Sequence, residues 1–299
     1  MTEHTERHMT SGAHAHHHDP DRDWDAFAPL LEADATLDAP AHTQAADWLR
    51  ERTGTVRRVL DVGSGVGVVA CLLARTFPDA EVVAVDGTQA LLDRVRARAE
   101  RLGLADRVTT RLAELPHGLE AVGGADLIWT SKTVHHLPDQ QGAVRDLART
   151  LRPGGLLAIA EGGLPSRCLP RDVGSGRPDL QARLDVAMGE RFAEMRAALP
   201  DTGQIVEDWP AMLTAAGLTD VASRTFLVDL PAPLDAATRE ALRTQLAHRR
   251  EAAADRLDDG DLAALDRLVD PDNRAGLLHR PDVFLLSAQT FHTAVRAAG

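Results

Sequence analysis

The 299-residue chain is acidic, with 45 Asp and Glu against 33 Lys and Arg and a formal net charge of −12. Binding to nucleic acid requires a basic surface that neutralises phosphates, so this composition predicts no nucleic-acid partner. No apolar run approaches the ~20 residues of a membrane span, and the first residues lack the apolar region of a signal peptide. Two cysteines, Cys71 and Cys168, are too few for a disulfide framework, which predicts a reducing cytoplasmic location.

The N-terminal part of the chain divides into two segments. Residues 1–20 are polar and hold six of the thirteen histidines, which predicts a disordered tail and leaves a metal-binding tract as the alternative. Residues 21–55 are predicted to form a helical cap of two helices, the first carrying Trp24 and Phe27 on one face and the second starting at Pro40. A helical layer without a ligand role is the alternative for this cap.

Strand and helix patterns alternate in residues 56–162, the predicted core. Strands are expected at 56–62, 81–86, 107–112, 125–130 and 156–160, with helices at 66–77, 88–103 and 139–151. Five strands that alternate with helices at short spacing favour an α/β fold in which a doubly wound parallel sheet is covered on both faces.

Residues 163–299 are predicted to complete the sheet and to add helical insertions that cap a substrate. A loop at 162–178 is followed by expected helices at 179–199 and 205–216, a strand at 222–230, a helical block at 234–268 and a last strand at 282–286. The pattern leaves the oligomeric state open, with a homodimer as one candidate.

A glycine cluster follows the first strand and carries most of the functional information. Gly63, Gly65 and Gly67 alternate, whereas the dinucleotide pattern has its third glycine at the position of Val68. Asp61 precedes the cluster, and its carboxylate would repel a pyrophosphate but suits a ligand with an ammonium and a sulfonium group. S-adenosylmethionine carries both, and Asp86 at the end of the second strand can accept hydrogen bonds from its ribose hydroxyls.

Together with residues 125–136 and the Leu151–Gly155 turn, these features resemble the class I S-adenosylmethionine-dependent methyltransferases. The resemblance implies a Rossmann-like seven-stranded sheet whose last strand is antiparallel. It also implies cofactor contacts, which we list by residue: Gly63, Gly65 and Gly67 at the methionine portion, Asp86 and Gly87 at the ribose, Ala113 and Glu114 at the adenine, and Ser131 at the methionine end. Many relatives have Gly-Asp-Ala after the third strand, where this chain has Leu112-Ala113-Glu114, so Glu114 is the candidate replacement for that acid.

The candidate reactive groups follow the fourth strand. Lys132, His135 and His136 would lie at the carboxyl edge of the sheet, where a histidine can act as a base for an acceptor that carries a proton. A structural role and a role in orienting the acceptor are the alternatives for both histidines.

Three other groups of residues could serve the acceptor. Arg167, Arg171 and Arg177 could recognise a carboxylate or phosphate, or belong to a solvated loop; Met188, Phe192, Met195 and Trp209 could line a pocket or form ordinary core. The spacing of His248, His279 and His292 does not require a metal, and we predict none.

These observations predict a methyltransferase that acts on a small-molecule acceptor, for example in tailoring a specialised metabolite. A non-catalytic protein that retains the cofactor fold as a binding or scaffolding module is the second hypothesis. An NAD-dependent oxidoreductase is the third, and both Asp61 and Val68 disfavour it.

Overall fold

A computed structural model describes residues 23–115, 118–200 and 206–298. The strands are β1 (Arg58–Val62), β2 (Glu81–Asp86), β3 (Val108–Leu112), β4 (Ala125–Ser131), β5 (Leu151–Arg167), β6 (Thr219–Leu230) and β7 (Leu285–Val295). The α-helices are α1 (Trp24–Arg52), α2 (Val68–Thr76), α3 (Gln89–Arg101), α4 (Gln140–Thr150), α5 (Leu180–Ala198), α6 (Trp209–Ala215), α7 (Ala236–Ala252) and α8 (Asp259–Val269).

The seven strands form one sheet in the order β3-β2-β1-β4-β5-β7-β6. The pairs among β1 to β5 are parallel, and β7 runs antiparallel between β5 and β6. The predicted doubly wound fold with an antiparallel last strand is therefore confirmed. Chain order reverses between β1 and β4, and ligands of open α/β sheets bind outside the carboxyl ends of strands at such a point.

The central strands are buried on both faces because helices cover each side of the sheet. In β4, the side chains of Leu127, Ile128, Trp129 and Thr130 are all fully buried. Both faces therefore select apolar residues, which gives the nearly continuous apolar runs of a covered parallel sheet. Such strands hold the residues that follow them in fixed positions at the carboxyl edge.

The prediction of two N-terminal helices is wrong, because α1 is one helix of 29 residues that contains Pro29 and Pro40. A proline inside a helix costs about 3 kcal/mol through its missing N–H and its clash with the preceding turn. Residues on both sides of Pro40 pack into the same core, however, and Leu37, Ala41 and Leu49 are at most 3% exposed. Burial of this continuous apolar face outweighs the local cost of the proline.

Two predicted strands differ from the observed ones. β5 extends through residues 162–167, which were expected to be a loop, and β7 occupies 285–295 instead of 282–286. Gly163 makes the extension of β5 possible: its φ is +119°, and a Cβ there would lie 2.1 Å from the carbonyl oxygen of Ala288 on β7. The backbones of β5 and β7 can approach this closely only when residue 163 has no side chain.

The remaining helices agree with the patterns except at their ends. The block expected at 234–268 is two helices, α7 and α8, and α6 begins at Trp209 with Asp208 as its N-cap. The tail at 1–20 and the start of the helix expected at 205 lie outside the described residues. Cys71 and Cys168 are buried and unpaired. None of the helices that the described residues form is long and apolar enough to cross a bilayer.

Candidate cofactor and active site

Residues 63–67, the glycine loop, connect β1 to α2 at the point where chain order reverses. Gly63, Gly65 and Gly67 all have positive φ, between 51° and 78°. A Cβ on Gly63 would lie 2.2 Å from Thr133 Oγ1. Gly65 is open, with only Leu31 of α1 within 4 Å of such an atom, at 3.9 Å. The loop therefore presents bare backbone to the space beneath α1, as a ligand that packs against the main chain requires.

Asp61 is the penultimate residue of β1, two residues before the glycine loop. Its side chain is 2% exposed, and its Oδ2 has no hydrogen-bond partner among the described residues. Burial, followed by repulsion from Asp86, raises the pKa of Asp61 from 3.8 to about 8. A buried carboxylate oxygen without a partner is costly, and a ligand ammonium group would remove that cost.

Asp86 ends β2 and is held by the backbone around it. Its Oδ2 accepts a hydrogen bond from the N–H of Gly65 at 3.0 Å, and its Oδ1 accepts one from the N–H of Thr88 at 3.0 Å. The side chain is 1% exposed. Asp86 therefore fixes the shape of the glycine loop, and its predicted contact with ribose hydroxyls remains a prediction.

A cavity of about 270 Å³ lies between the glycine loop and α1. Its lining contains seven of the cofactor and reactive residues proposed from the sequence, namely Asp61, Gly63, Gly65, Ser131, Lys132, His135 and His136. Gly67, Asp86, Gly87, Ala113 and Glu114 do not line it. Gly67 instead caps α2, and the N–H of Ala113 donates to the carbonyl of Asp86 at 3.1 Å. The assignment of Ala113 and Glu114 to an adenine site gains no support from this geometry and stays a prediction.

Helix α1 forms the opposite wall of this cavity, and side chains of its first half are linked to other elements at three points. Arg98 of α3 pairs with Glu32 and also donates to the carbonyl of Val66 at 3.0 Å. Lys132 Nζ lies 2.5 Å from Asp38 Oδ2. The remaining link is the hydrogen bond from Gln245 Nε2 of α7 to Asp34 Oδ1, at 2.8 Å. These links hold α1 over the glycine loop as a lid.

Lys132, Asp34 and Asp38 form one group of charges on the wall of this cavity, although 51% of the Lys132 side chain is exposed. Burial favours the neutral form of Lys132, but Asp38 and Asp34 outweigh it and raise the pKa of this ammonium. Burial raises the pKa of Asp34, although Lys132 opposes the shift. Lys132 is also one of the few non-glycine residues with positive φ, at 52°. The turn after β4 is therefore bent so that Lys132 faces Asp34 and Asp38 of α1.

Residues 133–137, the His turn, place His135 against Glu161 at the end of the regular part of β5. His135 Nδ1 lies 2.6 Å from Glu161 Oε2, and Glu161 Oε1 accepts hydrogen bonds from the N–H of Val134 and, at 3.4 Å, of His135. Glu161 is 5% exposed. A carboxylate on Nδ1 fixes the tautomer in which Nε2 holds the lone pair and can accept a proton.

Helix α5 supports the His turn from outside. Arg196 Nη1 donates to the carbonyl of His135 at 2.9 Å and to that of Leu137 at 2.6 Å. The rings of His135 and His136 lie 4.0 Å apart between centroids, and both contact the ring of Phe192. Of the apolar set proposed on this part of the chain, Phe192 alone lines a cavity at this site, while Met195 and Trp209 belong to the core.

The arginines proposed to recognise an acidic acceptor are engaged elsewhere. Arg177 pairs with Asp258 and Asp261, at 2.5 Å and 3.0 Å. Arg167 and Arg171 face Asp185 and Asp179 at 3.9 Å and 3.6 Å. None of the three lines the cavities around the His turn, so the structure does not support that interpretation.

The histidines of the C-terminal region are not gathered at one place. His248 packs on Phe27, His279 Nε2 lies 2.9 Å from the carbonyl oxygen of Pro271, and His292 Nδ1 lies 2.7 Å from Ser223 Oγ. Across the part of the chain that the structure describes, no three His, Cys, Asp or Glu side chains are grouped as a metal site would need.

Sequence reasoning missed three residues of this region. His42 of α1 lines the cavity above the glycine loop, Glu161 holds His135, and Gln289 of β7 lines two neighbouring cavities. Glu161 had a signal, since it ends a strand at the same edge as Asp61 and Asp86. His42 and Gln289 lie outside residues 56–162, the predicted core, and only the folded chain brings them to the site.

Comparison with known proteins agrees with this geometry. Residues 60–159 match the family model described as a methyltransferase domain. The chain is 35% identical to the methyltransferase GfsG of Streptomyces halstedii over 173 residues, which cover 56% of each protein. It is 30% identical to a trans-aconitate 2-methyltransferase of Methylobacterium nodulans over 228 residues, covering 72% of this chain and 83% of that protein. The chain belongs to the class I S-adenosylmethionine-dependent methyltransferases.

Further comparisons show how much of each relative the chain matches and which fold it shares. The matches to the first curated relatives span about half the length of each of them, from 48% to 56%. An O-methyltransferase family protein from Burkholderia thailandensis has the same fold, with a TM-score of 0.50, 15% identity and coverage of 95% of this chain and 62% of that one. S-adenosylmethionine is the cofactor of this methyltransferase family.

The residues present fit that cofactor. Asp61 Oδ2 lacks a partner and Ser64 Oγ beside it is also buried without one among the described residues, so an ammonium group would find acceptors there. The open face of Gly65 leaves room for a ligand against the backbone. A cation is favoured at this position because Asp61 and Asp86 lie together in a buried site.

Proposed function

We propose that this protein transfers a methyl group from S-adenosylmethionine to a hydroxyl group of a small-molecule acceptor. The observation that carries the proposal is the pairing of His135 with Glu161 in the wall of the cavity that begins at the glycine loop. Cavities of about 270 to 400 Å³ suit a small acceptor, and the acidic composition disfavours a nucleic-acid substrate. One relative is itself named for a small acceptor, trans-aconitate.

His135 is the proposed base. A hydroxyl oxygen becomes a good nucleophile as its proton leaves, and an imidazole within reach can accept that proton. Glu161 acts through His135: it holds Nδ1, leaves Nε2 available and stabilises the positive charge that develops on the ring. S-adenosylmethionine supplies an activated methyl group and departs as S-adenosylhomocysteine.

The rest of the site orients and encloses the reactants. We propose that Asp61 and the glycine loop bind the methionine end of the cofactor, with Ser131 beside it, and that Asp86 serves the ribose through its position after β2. Helix α1 excludes water from the cavity, because in-line displacement depends mainly on alignment and desolvation. We place Gly87, Ala113 and Glu114 on the ribose and adenine side.

Two measurements test this proposal. Titration with S-adenosylhomocysteine and with NAD should give saturable binding of the former only. Incubation with methyl-labelled S-adenosylmethionine and a metabolite extract should label a small product at oxygen. Binding of NAD alone would overturn the proposal in favour of an oxidoreductase. Cofactor binding without any labelled product would favour the scaffold alternative, and label on nitrogen or carbon would overturn the hydroxyl assignment.

A further inference from the structure

Three cavities meet at Lys132. The first is the cavity between the glycine loop and α1, the second has a volume of about 310 Å³ and is lined by His135, Glu161 and Phe192, and the third has about 400 Å³ between α1, α7 and the β5–β7 pair. Lys132 lines all three. We call the second and third cavities the acceptor chamber, because a molecule that occupies them lies beside the proposed base.

The charged side chains on the wall of this chamber are already paired. Among the described residues that line it, the pairs are Lys132 with Asp38, Arg249 with Asp185, Glu161 with His135, and Glu207 with Gln140. Acids also outnumber cations in the lining, three to two. An anionic acceptor would therefore meet a lining with more acids than cations, in which Lys132 and Arg249 already face carboxylates.

The polar groups left without partners at the junction are uncharged. His42 and Gln289 are 5% and 6% exposed, and apart from a contact between these two side chains their polar atoms have no hydrogen-bond partner among the described residues. Burial lowers the pKa of His42 to about 4, so the ring is neutral at physiological pH. Buried polar atoms without partners are rare, because each costs about 1–3 kcal/mol.

Both side chains are held in place by the fold. Gln289 lies on β7 opposite Gly163 of β5 and lines both cavities of the chamber. The His42 ring packs edge-on against Trp129 and Phe291, with centroids 5.6 Å and 6.2 Å away, and faces the first cavity. The two are neighbours, since Gln289 lies close enough to favour the protonated form of His42. They therefore mark the passage between the cofactor end and the chamber.

We propose that His42 and Gln289 form the acceptor-binding subsite and select an uncharged acceptor that carries both hydroxyl and carbonyl groups. The amide of Gln289 can donate and accept at once, and a neutral imidazole offers one donor and one acceptor. Such a pair rejects a molecule that cannot complete its hydrogen bonds, since the buried groups then stay unpaired. The inference rests on the proposed function, whose acceptor class it names.

The test measures binding and does not require turnover. The protein saturated with S-adenosylhomocysteine is titrated with fragments built on a four-carbon backbone, here ethyl 3-hydroxybutyrate, 3-hydroxybutyrate and 3-aminobutan-1-ol, and binding is followed by saturation-transfer NMR. We expect the neutral hydroxy ester to bind more tightly than the carboxylate and the amine. Trans-aconitate serves as an additional anionic probe and is expected not to bind.

Three variants connect the result to the subsite. Gln289→Leu and His42→Phe should each weaken binding of the hydroxy ester at least fivefold. Gln289→Leu should also leave affinity for S-adenosylhomocysteine unchanged, because Gln289 does not line the cavity at the glycine loop. Thr290→Val changes the adjacent residue, whose hydroxyl bonds Thr225 at 2.9 Å, and should leave ester binding unchanged. Gln289→Leu should also raise the unfolding midpoint of the ligand-free protein, because it removes a buried group without a partner; a merely structural glutamine would give a lower midpoint.

The outcomes separate the two proposals. Preference for the carboxylate or the amine, equal ester binding by wild type and Gln289→Leu, or no binding of any fragment to the cofactor complex would each overturn the subsite. Failure of the proposed function would appear instead as absent binding of S-adenosylhomocysteine or absent methyl transfer, and both are measured independently of the fragments.

Discussion

At Asp61 the ligand-free protein holds a carboxylate in a place that disfavours its charge. Because the folded-state pKa is raised to about 8 from 3.8, the folded protein retains a proton that the unfolded chain has lost between these values. The stability that this group contributes is therefore complete below pH 4 and is lost as the pH rises toward 8. Relief of this strain by a bound cation would favour the ligand-bound state.

Asp61→Asn should separate the two effects of this carboxylate. Relative to wild type, the variant should gain unfolding free energy as the pH rises from 4 to 8, because the amide does not ionise; urea unfolding at several pH values measures the difference. Its affinity for S-adenosylhomocysteine at pH 8 should fall at least tenfold, and wild-type affinity should decline below pH 8 while the variant stays flat. Affinities that match across the range would remove Asp61 from the ammonium site.

His135 is expected to matter for turnover and not for cofactor binding. With the acceptor found by the labelling experiment, His135→Ala should reduce kcat by about 10²-fold or more, the usual range for a general base. Affinity for S-adenosylhomocysteine should be retained. His136→Ala is the matched control, since its ring is adjacent but Glu161 bonds His135. Equal turnover by all three proteins would eliminate the base.

At the scale of elements, α1 matters because its first half forms one wall of the cavity at the glycine loop. Arg98 of α3 pairs with Glu32 of α1, and the side chains of the two residues are 16% and 43% exposed, respectively. Arg98 also donates to the carbonyl of Val66 in the glycine loop. A partly exposed ion pair contributes about 1 kcal/mol at most. Arg98 is therefore one modest link among those that hold α1 over the loop.

Arg98→Ala should loosen this lid. We expect dissociation of S-adenosylhomocysteine to accelerate by about threefold to fivefold, which corresponds to the loss of one such pair, with a smaller change in unfolding free energy. Stopped-flow displacement measures the rate. Arg101→Ala, on the exposed face of the same helix, should leave the rate unchanged; equal acceleration in both variants would mean that general helix destabilisation is responsible.

The elements also differ in how well their sequence predicts them. The glycine loop and strands β1 to β5 follow local patterns, so their order and type were predictable. α1 was not, because Pro40 is a local break signal that burial on both sides overrides. β7 was misplaced because it carries Gln289, His292 and Thr293, polar residues that suggest an exposed segment, although the strand lies inside the sheet between β5 and β6.

The same distinction holds for the site. Asp61 and the histidines of the His turn could be placed because each follows a strand in the predictable part of the sheet. The pairing of His135 with Glu161 joins residues 26 apart, and Gln289 reaches the chamber only through the register of β7 with β5. Such contacts depend on tertiary arrangement, which hydrophobic periodicity does not encode.

At the scale of the whole molecule, Phe291 joins the last strand, β7, to aromatic rings of β4, β6 and α1. Its fully buried ring lies 4.7 Å from that of Trp129 on β4 and 5.7 Å from that of Phe226 on β6, and it also contacts His42 of α1. Phe291→Ala should lower the unfolding free energy by about 3–5 kcal/mol. Leu286→Ala, at a position on the same strand that is 39% exposed, should cost much less in the same denaturant titration. Comparable losses in the two variants would show that Phe291 contributes no more to stability than an exposed residue of the same strand.

The position of β7 also determines when this chain can fold during its synthesis. β5 ends at residue 167 and its neighbour β7 begins at residue 285, with β6 made in between. A growing chain on the ribosome therefore carries an apolar sheet whose edge at β5 stays unpaired until β7 has been made, and β6 has no strand to join before then. Unpaired edges invite association with other chains. We expect nascent copies of this protein to be most prone to association during that interval, and the His42–Gln289 pair can form only at its end.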